Sequence, residues 1–282
     1  MELFFIRHIF TQLQKNNLKN KSLIYEDELI KSFNCVIKDD DKVIVLYSGL
    51  WSFIFNIAFN GKKIPDYLLL LIENIVSKKR TLVLPAFSGE TFLKTKKFHI
   101  DKSIDRNGLL PVTALKSKRY YRTPQPLHSY LIYGKLVKEI ENKTFETSWG
   151  ENSIFEWFSK NNARLCVFGV PWHKGCSYLH RYEELNQVPW RFYKTFKGDL
   201  YKNNKKIGQC IEKKYSKIVG LKYDLSPIVN CINKKKILKS NSTKFFLQST
   251  TCDEIDEASK KFFKKDPWKL IKNKSKIIVN EK

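Results

Sequence analysis

Three short runs of unbroken apolar residues constrain this chain more than any other feature: Val43-Ile-Val-Leu-Tyr47, Thr81-Leu-Val-Leu-Pro85 and Leu165-Cys-Val-Phe-Gly169. A strand with one face in water alternates polar and apolar residues, whereas a strand covered on both faces stays apolar throughout. The segment from Pro65-Asp66 to Ser77 separates the first two runs and places Leu68, Leu71, Ile72 and Ile75 on one side of a helix. Lys78-Lys79-Arg80 follows, where a helix C-terminus favours cations. Strand, helix, strand at this spacing predicts parallel pairing and an α/β fold.

The remaining segments fill in around that unit. Residues 11–34 have helical spacing ending near Asn34, and Leu50 to Phe59 reads as a turn or helix. Residues 89–127 are rich in Lys, Arg, Gly and Pro and read as a long irregular loop, a kind that is often functional. His128 to Tyr133 is expected as a strand, Asn152 to Asn161 as a helix, and Phe192 to Ser240 as antiparallel strands or long hairpins. Thr250 or Thr251 is placed to cap a last helix that Asp266-Pro267 stops. No repeat or linker divides the chain, so all of 1–282 is expected to form one domain. The opening Met-Glu-Leu-Phe-Phe-Ile-Arg-His has no basic n-region or cleavage site, and no apolar run reaches bilayer length, so no membrane insertion and a cytoplasmic location are expected. Six cysteines without CxxC spacing fit reduced thiols.

The chemistry concentrates in Cys176-Ser-Tyr-Leu-His-Arg-Tyr-Glu-Glu-Leu185, at the end of the third buried run. Catalytic loops gather at strand carboxyl ends in open α/β sheets. His180 and Glu183 are three apart and share a helix face. A carboxylate that takes the outer N–H of an imidazole fixes its tautomer and strengthens the other nitrogen as a base. Ser177, three residues upstream, is placed to cap the helix and face the same spot. An ordinary surface His–Glu pair has the same spacing. His173, Cys176, His180 and Glu183 also cluster, but a second close-spaced ligand pair is missing, and no metal site is expected.

Eight segments in order resemble the antibiotic (aminoglycoside 3-N-) acetyltransferase family, which is distinct from GCN5-type acetyltransferases. They are Val43-Ile-Val-Leu-Tyr-Ser-Gly-Leu-Trp-Ser52, Arg80-Thr-Leu-Val-Leu-Pro-Ala-Phe-Ser88, Asn107-Gly-Leu-Leu-Pro111, Arg122-Thr-Pro-Gln-Pro-Leu-His-Ser129, Trp149-Gly-Glu-Asn-Ser-Ile-Phe155, Phe168-Gly-Val170, Cys176 to Glu184, and Val188-Pro-Trp-Arg191. The resemblance covers residues 25–270 and implies a three-layer α/β/α fold with a mixed central sheet flanked by helices. It implies acetyl transfer from acetyl-CoA (coenzyme A as co-substrate) to a primary amine. By similarity His180 is the general base, Glu183 orients it, and Ser177, where the family usually has Thr, bonds the oxyanion. For the cofactor the resemblance points to Ser48, Gly49, Leu50 and Ser52 after the first strand, Phe87 and Ser88 after the second, and His128 with Ser129. The chain departs from the family pattern at Tyr47-Ser48-Gly49, where His-Ser-Ser is usual, at Gln125, where His is common, and at Pro171-Trp-His-Lys-Gly175, which replaces an Asp-containing stretch.

The formal charge of +24 bears on the acceptor. Such a chain repels a polycationic aminoglycoside at long range unless Glu183, Glu184, Glu146 or Glu151 makes the site locally acidic. A nucleotide-linked or surface-glycan amino sugar of polysaccharide biosynthesis suits the field better than a drug. The same charge also fits lysine-heavy solvated faces with no function attached. A competing reading is a catalytically silent, basic nucleotide- or RNA-binding protein on the same fold. No nucleic-acid reading module or Arg-rich stripe is present, so a small-molecule amine is the expected partner, with a homodimer left open.

Overall fold

The computed structural model describes residues 23–273 apart from 77–78, 103 and 106–107. The opening segment, residues 11–22, the Ser77-Lys78 end of the expected helix and Asn107 therefore lie outside the described residues. The strands are β1 (Val43–Ser48), β2 (Thr81–Pro85), β3 (Lys97–His99), β4 (Tyr121–Arg122), β5 (Tyr130–Gly134), β6 (Arg164–Phe168), β7 (Arg191–Lys202), β8 (Lys205–Lys217), β9 (Leu238–Lys239) and β10 (Leu247–Thr251). Seven form one sheet in the order β4-β5-β2-β1-β6-β10-β9. The three apolar runs are its parallel centre: β1 pairs in parallel with both β2 and β6, and the flanking strands run antiparallel. Every residue of β2 and β6 is buried, as their sequences required.

Alternation along these strands divides the core in two. Val43, Val45 and Tyr47 join Leu165 and Val167 on one face. Ile44 and Leu46 join Cys166 and Phe168 on the other. Helices Glu26–Val36, Ile64–Val76 and Leu109–Ser117 cover the second face with Phe33, Leu68, Leu71, Ile72 and Leu110. Helices Ile154–Lys160, Ser226–Cys231 and Cys252–Lys265 cover the first face, which gives three layers, α/β/α.

The structure differs from the sequence reading in several places. Residues 89–127 are not one irregular loop. They hold helices Gly89–Thr95 and Leu109–Ser117 with β3 and β4, because Phe92, Phe98, Leu110 and Ala114 supply buried contacts that their lysine-rich surroundings masked. The first described helix runs to Val36, past Asn34. Leu50 to Phe59, expected as a turn or helix, agrees with that reading in two short 3-10 turns, Leu50–Ser52 and Ile54–Asn56. Thr251 stands at the N-cap of the last helix without a side-chain cap bond, and Asn162 Oδ1 accepts the Asp253 N–H at 3.1 Å instead.

The expected hairpin is a long ribbon, β7 paired antiparallel with β8, and β3 joins β7 in parallel to make a second sheet. Phe92, Phe98, Leu127 and Cys210 pack this ribbon against helix Gly89–Thr95 and form a small core of their own. Where β1 and β6 end, the chain passes Gly49 against Gly169. Gly169 has φ +69°, and a Cβ there would lie 2.3 Å from the Gly49 carbonyl oxygen. Gly169→Ala is therefore expected to cost about 3 kcal/mol, from overpacking and left-handed strain together. Gly61→Ala, at φ +82° in open space, should cost only about 1 kcal/mol from strain alone. Denaturant midpoints of the two variants check the difference.

Candidate active site

The end of β6 leads through a short helical turn, Trp172–Gly175, into a 3-10 turn, Ser177–His180, and then helix Arg181–Leu185. This places His180 and Glu183 on one side, as their spacing required. His180 Nδ1 donates to Glu183 Oε2 at 2.6 Å. Trp190 Nε1 donates to Glu183 Oε1 at 3.0 Å, and Arg191 Nη2 donates to Oε2 at 2.8 Å. The Glu183 side chain has no exposure, while that of His180 keeps 24%. An ionised carboxylate only accepts hydrogen bonds, so the imidazole proton sits on Nδ1 and Nε2 keeps its lone pair.

The electrostatics favour a neutral imidazole beside an ionised acid. Burial pushes His180 below its ordinary value; Glu183 opposes that shift, and Arg191 and Lys214 add to it. Burial would raise Glu183, but His180 and Arg191 outweigh it and hold the carboxyl at about 2.

His180 opens on a cleft of about 1060 Å³ between the main sheet and the ribbon, lined in part by Phe87, His128, Trp149, Arg191, Lys214 and Tyr223. His128 belongs to a second pair that sequence reasoning missed. Its Nδ1 donates to Glu212 Oε1 at 2.6 Å, and the Ser148 hydroxyl donates to the same oxygen at 2.7 Å. The Leu127 and His128 backbone N–H groups donate to Oε2 at 2.8 and 3.2 Å. Trp149 lies between the two imidazoles, with ring centroids 5.2 Å from each. Its loop is tied to the His180 helix: the Trp149 N–H donates to Glu184, and Arg181 donates to the Trp149 and Gly150 carbonyls.

The other residues singled out from sequence divide clearly. Phe87 and His128 line the cleft with His180. Leu50 is a core side chain, and Ser88 and Ser129 are fully buried. The Ser88 hydroxyl donates to the Pro126 carbonyl and the Ser129 hydroxyl to the Ala86 carbonyl, and both accept from Arg122. Ser48, Gly49 and Ser52 are not among the cleft-lining residues, and Ser52 is exposed. Ser177 caps no helix; its hydroxyl lies 3.2 Å from that of Tyr130 and 3.4 Å from that of Tyr47, and it too is outside the lining. Glu183 and Glu184 are buried in structural roles, and Glu146 and Glu151 lie off the cleft, so none of the four makes it acidic. Among the missed residues, Trp190 and Arg191 sat in a recognised segment without a role, whereas Glu212 carried no signal within the lysine-rich ribbon.

A sequence profile described as aminoglycoside 3-N-acetyltransferase matches residues 60–257. Among solved structures, AAC-IIIb in binary complex with CoASH has a TM-score of 0.70 at 14% identity, covering 86% of this chain and 97% of that one. The aminoglycoside acetyltransferase AAC(3)-IVa in complex with gentamicin has a TM-score of 0.70 at 14% identity, covering 88% and 92%. The YokD protein from Bacillus subtilis has a TM-score of 0.66 at 13% identity, covering 84% and 98%. These likenesses establish a shared fold. No curated protein sequence matches the chain.

Glu183→Gln leaves the buried Arg191 guanidinium without its anion and is expected to cost about 3 kcal/mol. The folded value of about 2 lies below the unfolded one, so Glu183 stabilises the fold fully above about pH 4.3, the ordinary glutamate value. That stability is lost as pH falls from there through about 2. Acid denaturation followed by circular dichroism should show a shallower loss over this window in Glu183→Gln than in the parent.

Proposed function

Because this chain belongs to the aminoglycoside 3-N-acetyltransferase family, it is an acetyl-CoA-dependent N-acetyltransferase, and we propose that His180 is its general base and a phosphate-bearing amino sugar its acceptor. The observation that carries this reading is the imidazole fixed by Glu183 at 2.6 Å, with its second nitrogen free beside the cleft. An amine near neutral pH is mostly an ammonium ion, which has no lone pair to attack a thioester. His180 Nε2 takes the first ammonium proton and passes it to solvent, and the freed amine nitrogen bonds to the thioester carbonyl carbon. His180 takes the second proton from the nitrogen of the tetrahedral adduct, and the C–S bond breaks to release the CoA thiolate. The imidazolium then returns its proton to sulfur or solvent. Glu183 holds the ring through Nδ1 and stabilises the imidazolium as it forms.

The acceptor follows from charge. The cleft wall carries Lys174, Arg191, Lys214, Lys217 and Lys272 against Glu90, Asp105 and Asp224. A polycationic drug gains little from such a wall, whereas a sugar with one amine and a phosphate gains on both counts. A nucleotide-linked or glycan-precursor amino sugar has this chemistry. The six cysteines are all free, two of them exposed, which fits the reducing cytoplasm as the setting.

Purified protein with acetyl-CoA and a panel of amino sugars should release free thiol. His180→Ala should lower kcat by about 10²–10⁴-fold. Thiol release undiminished in that variant would remove His180 as the base. Burial lowers the His180 value, so the acid limb of kcat/KM should fall below about pH 6.5, the ordinary histidine value.

A further inference from the structure

We propose that Lys214, with Lys217 and Ser216 beside it on β8, forms a subsite for the acceptor's phosphate group. This deepens the acetyl-transfer reading and rests on it. Side chains two apart on a strand share a face, so Glu212, Lys214 and Ser216 lie together, and Lys217, the last residue of β8, joins Lys214 and Ser216 in the cleft lining. Glu212 is nevertheless saturated. Its two oxygens accept from His128 Nδ1, the Ser148 hydroxyl and the backbone N–H groups of Leu127 and His128. Among the described residues no carboxylate pairs with Lys214 or Lys217 within 4.0 Å. Lys214 Nζ instead lies 5.7 Å from the Trp149 ring centroid, and Lys217 Nζ 5.4 Å from that of Tyr223.

Two of the three acids of the cleft, Asp105 and Asp224, are committed elsewhere. Asp105 accepts from the Glu90 and Thr91 N–H groups at the start of helix Gly89–Thr95, and Asp224 pairs with Lys272 at 3.0 Å. Trp149, buried and lining the same cleft, keeps an indole N–H with no partner. Burial lowers the Lys214 ammonium below its ordinary value; Glu212 opposes that shift, and Arg191 and Lys217 add to it. A phosphate with three acceptor oxygens supplies what this wall lacks, and charge-assisted bonds to it are the strong kind. The cation also disfavours a second ammonium nearby, which selects sugars with a single amine.

CoA carries phosphates of its own, so the test fills its site first. With saturating CoA, calorimetry should show glucosamine 6-phosphate bound about tenfold more tightly than glucosamine. Lys214→Met should remove most of that preference while CoA affinity stays within about twofold, and Lys214→Arg should retain the preference. Equal binding of the two sugars by the parent protein overturns the subsite. So does a Lys214→Met variant that loses CoA affinity yet keeps the phosphate preference, because the cation would then serve the cofactor. Thiol release that depends on His180 without any phosphate preference sinks the subsite alone. Phosphate-selective binding without His180-dependent thiol release keeps the subsite and sinks the acetyl-transfer reading.

Discussion

A carboxylate with no contact with water governs the site. Taking Glu183 out of solvent costs several kcal/mol unless donors surround it, and three do: His180, Trp190 and Arg191. Satisfying one anion therefore fixes the imidazole ring, the indole of Trp190 and the first residue of β7 together. Arg191 extends the order further. Its Nη1 donates to the Tyr215 carbonyl on β8, and its guanidinium lies 4.6 Å from the Trp149 ring centroid. His180, the ribbon and the aromatic wall of the cleft share this single constraint.

Much of this was legible in the sequence because it is local. The apolar runs at Val43, Thr81 and Leu165 could only be strands covered on both faces, and His180 with Glu183 needs only one turn of helix to meet. What was hidden depends on distant residues. Glu212 reaches His128 across 84 residues of chain, and nothing in the ribbon's alternation marks it. Ser88 and Ser129, two of the serines carried over from the family pattern, lie outside the cleft lining for a physical reason. Arg122 is buried and needs acceptors, and it takes the Ser88 and Ser129 hydroxyls. The helices within 89–127 were obscured because their apolar residues are few and set among lysines.

The net charge of +24 is not spread evenly over the molecule. Glu183, Glu184 and Glu212 are buried, each bound to donors of the protein itself, while most lysines face solvent. The positive surface is thus partly a result of acids being drawn inward to build the site. Lys214 is the counter-example, a half-buried lysine that lines the same cleft as His180.

The ribbon belongs to a sheet of its own, joined to β3 and not to the seven central strands. One wall of the cleft can therefore be rewritten by substitutions along β7 and β8 without disturbing the strands that lead to His180. Arg191 at the root and Glu212 midway are anchor points that resist change. Such a division lets a lineage explore new ligands while the His180–Glu183 pair stays intact.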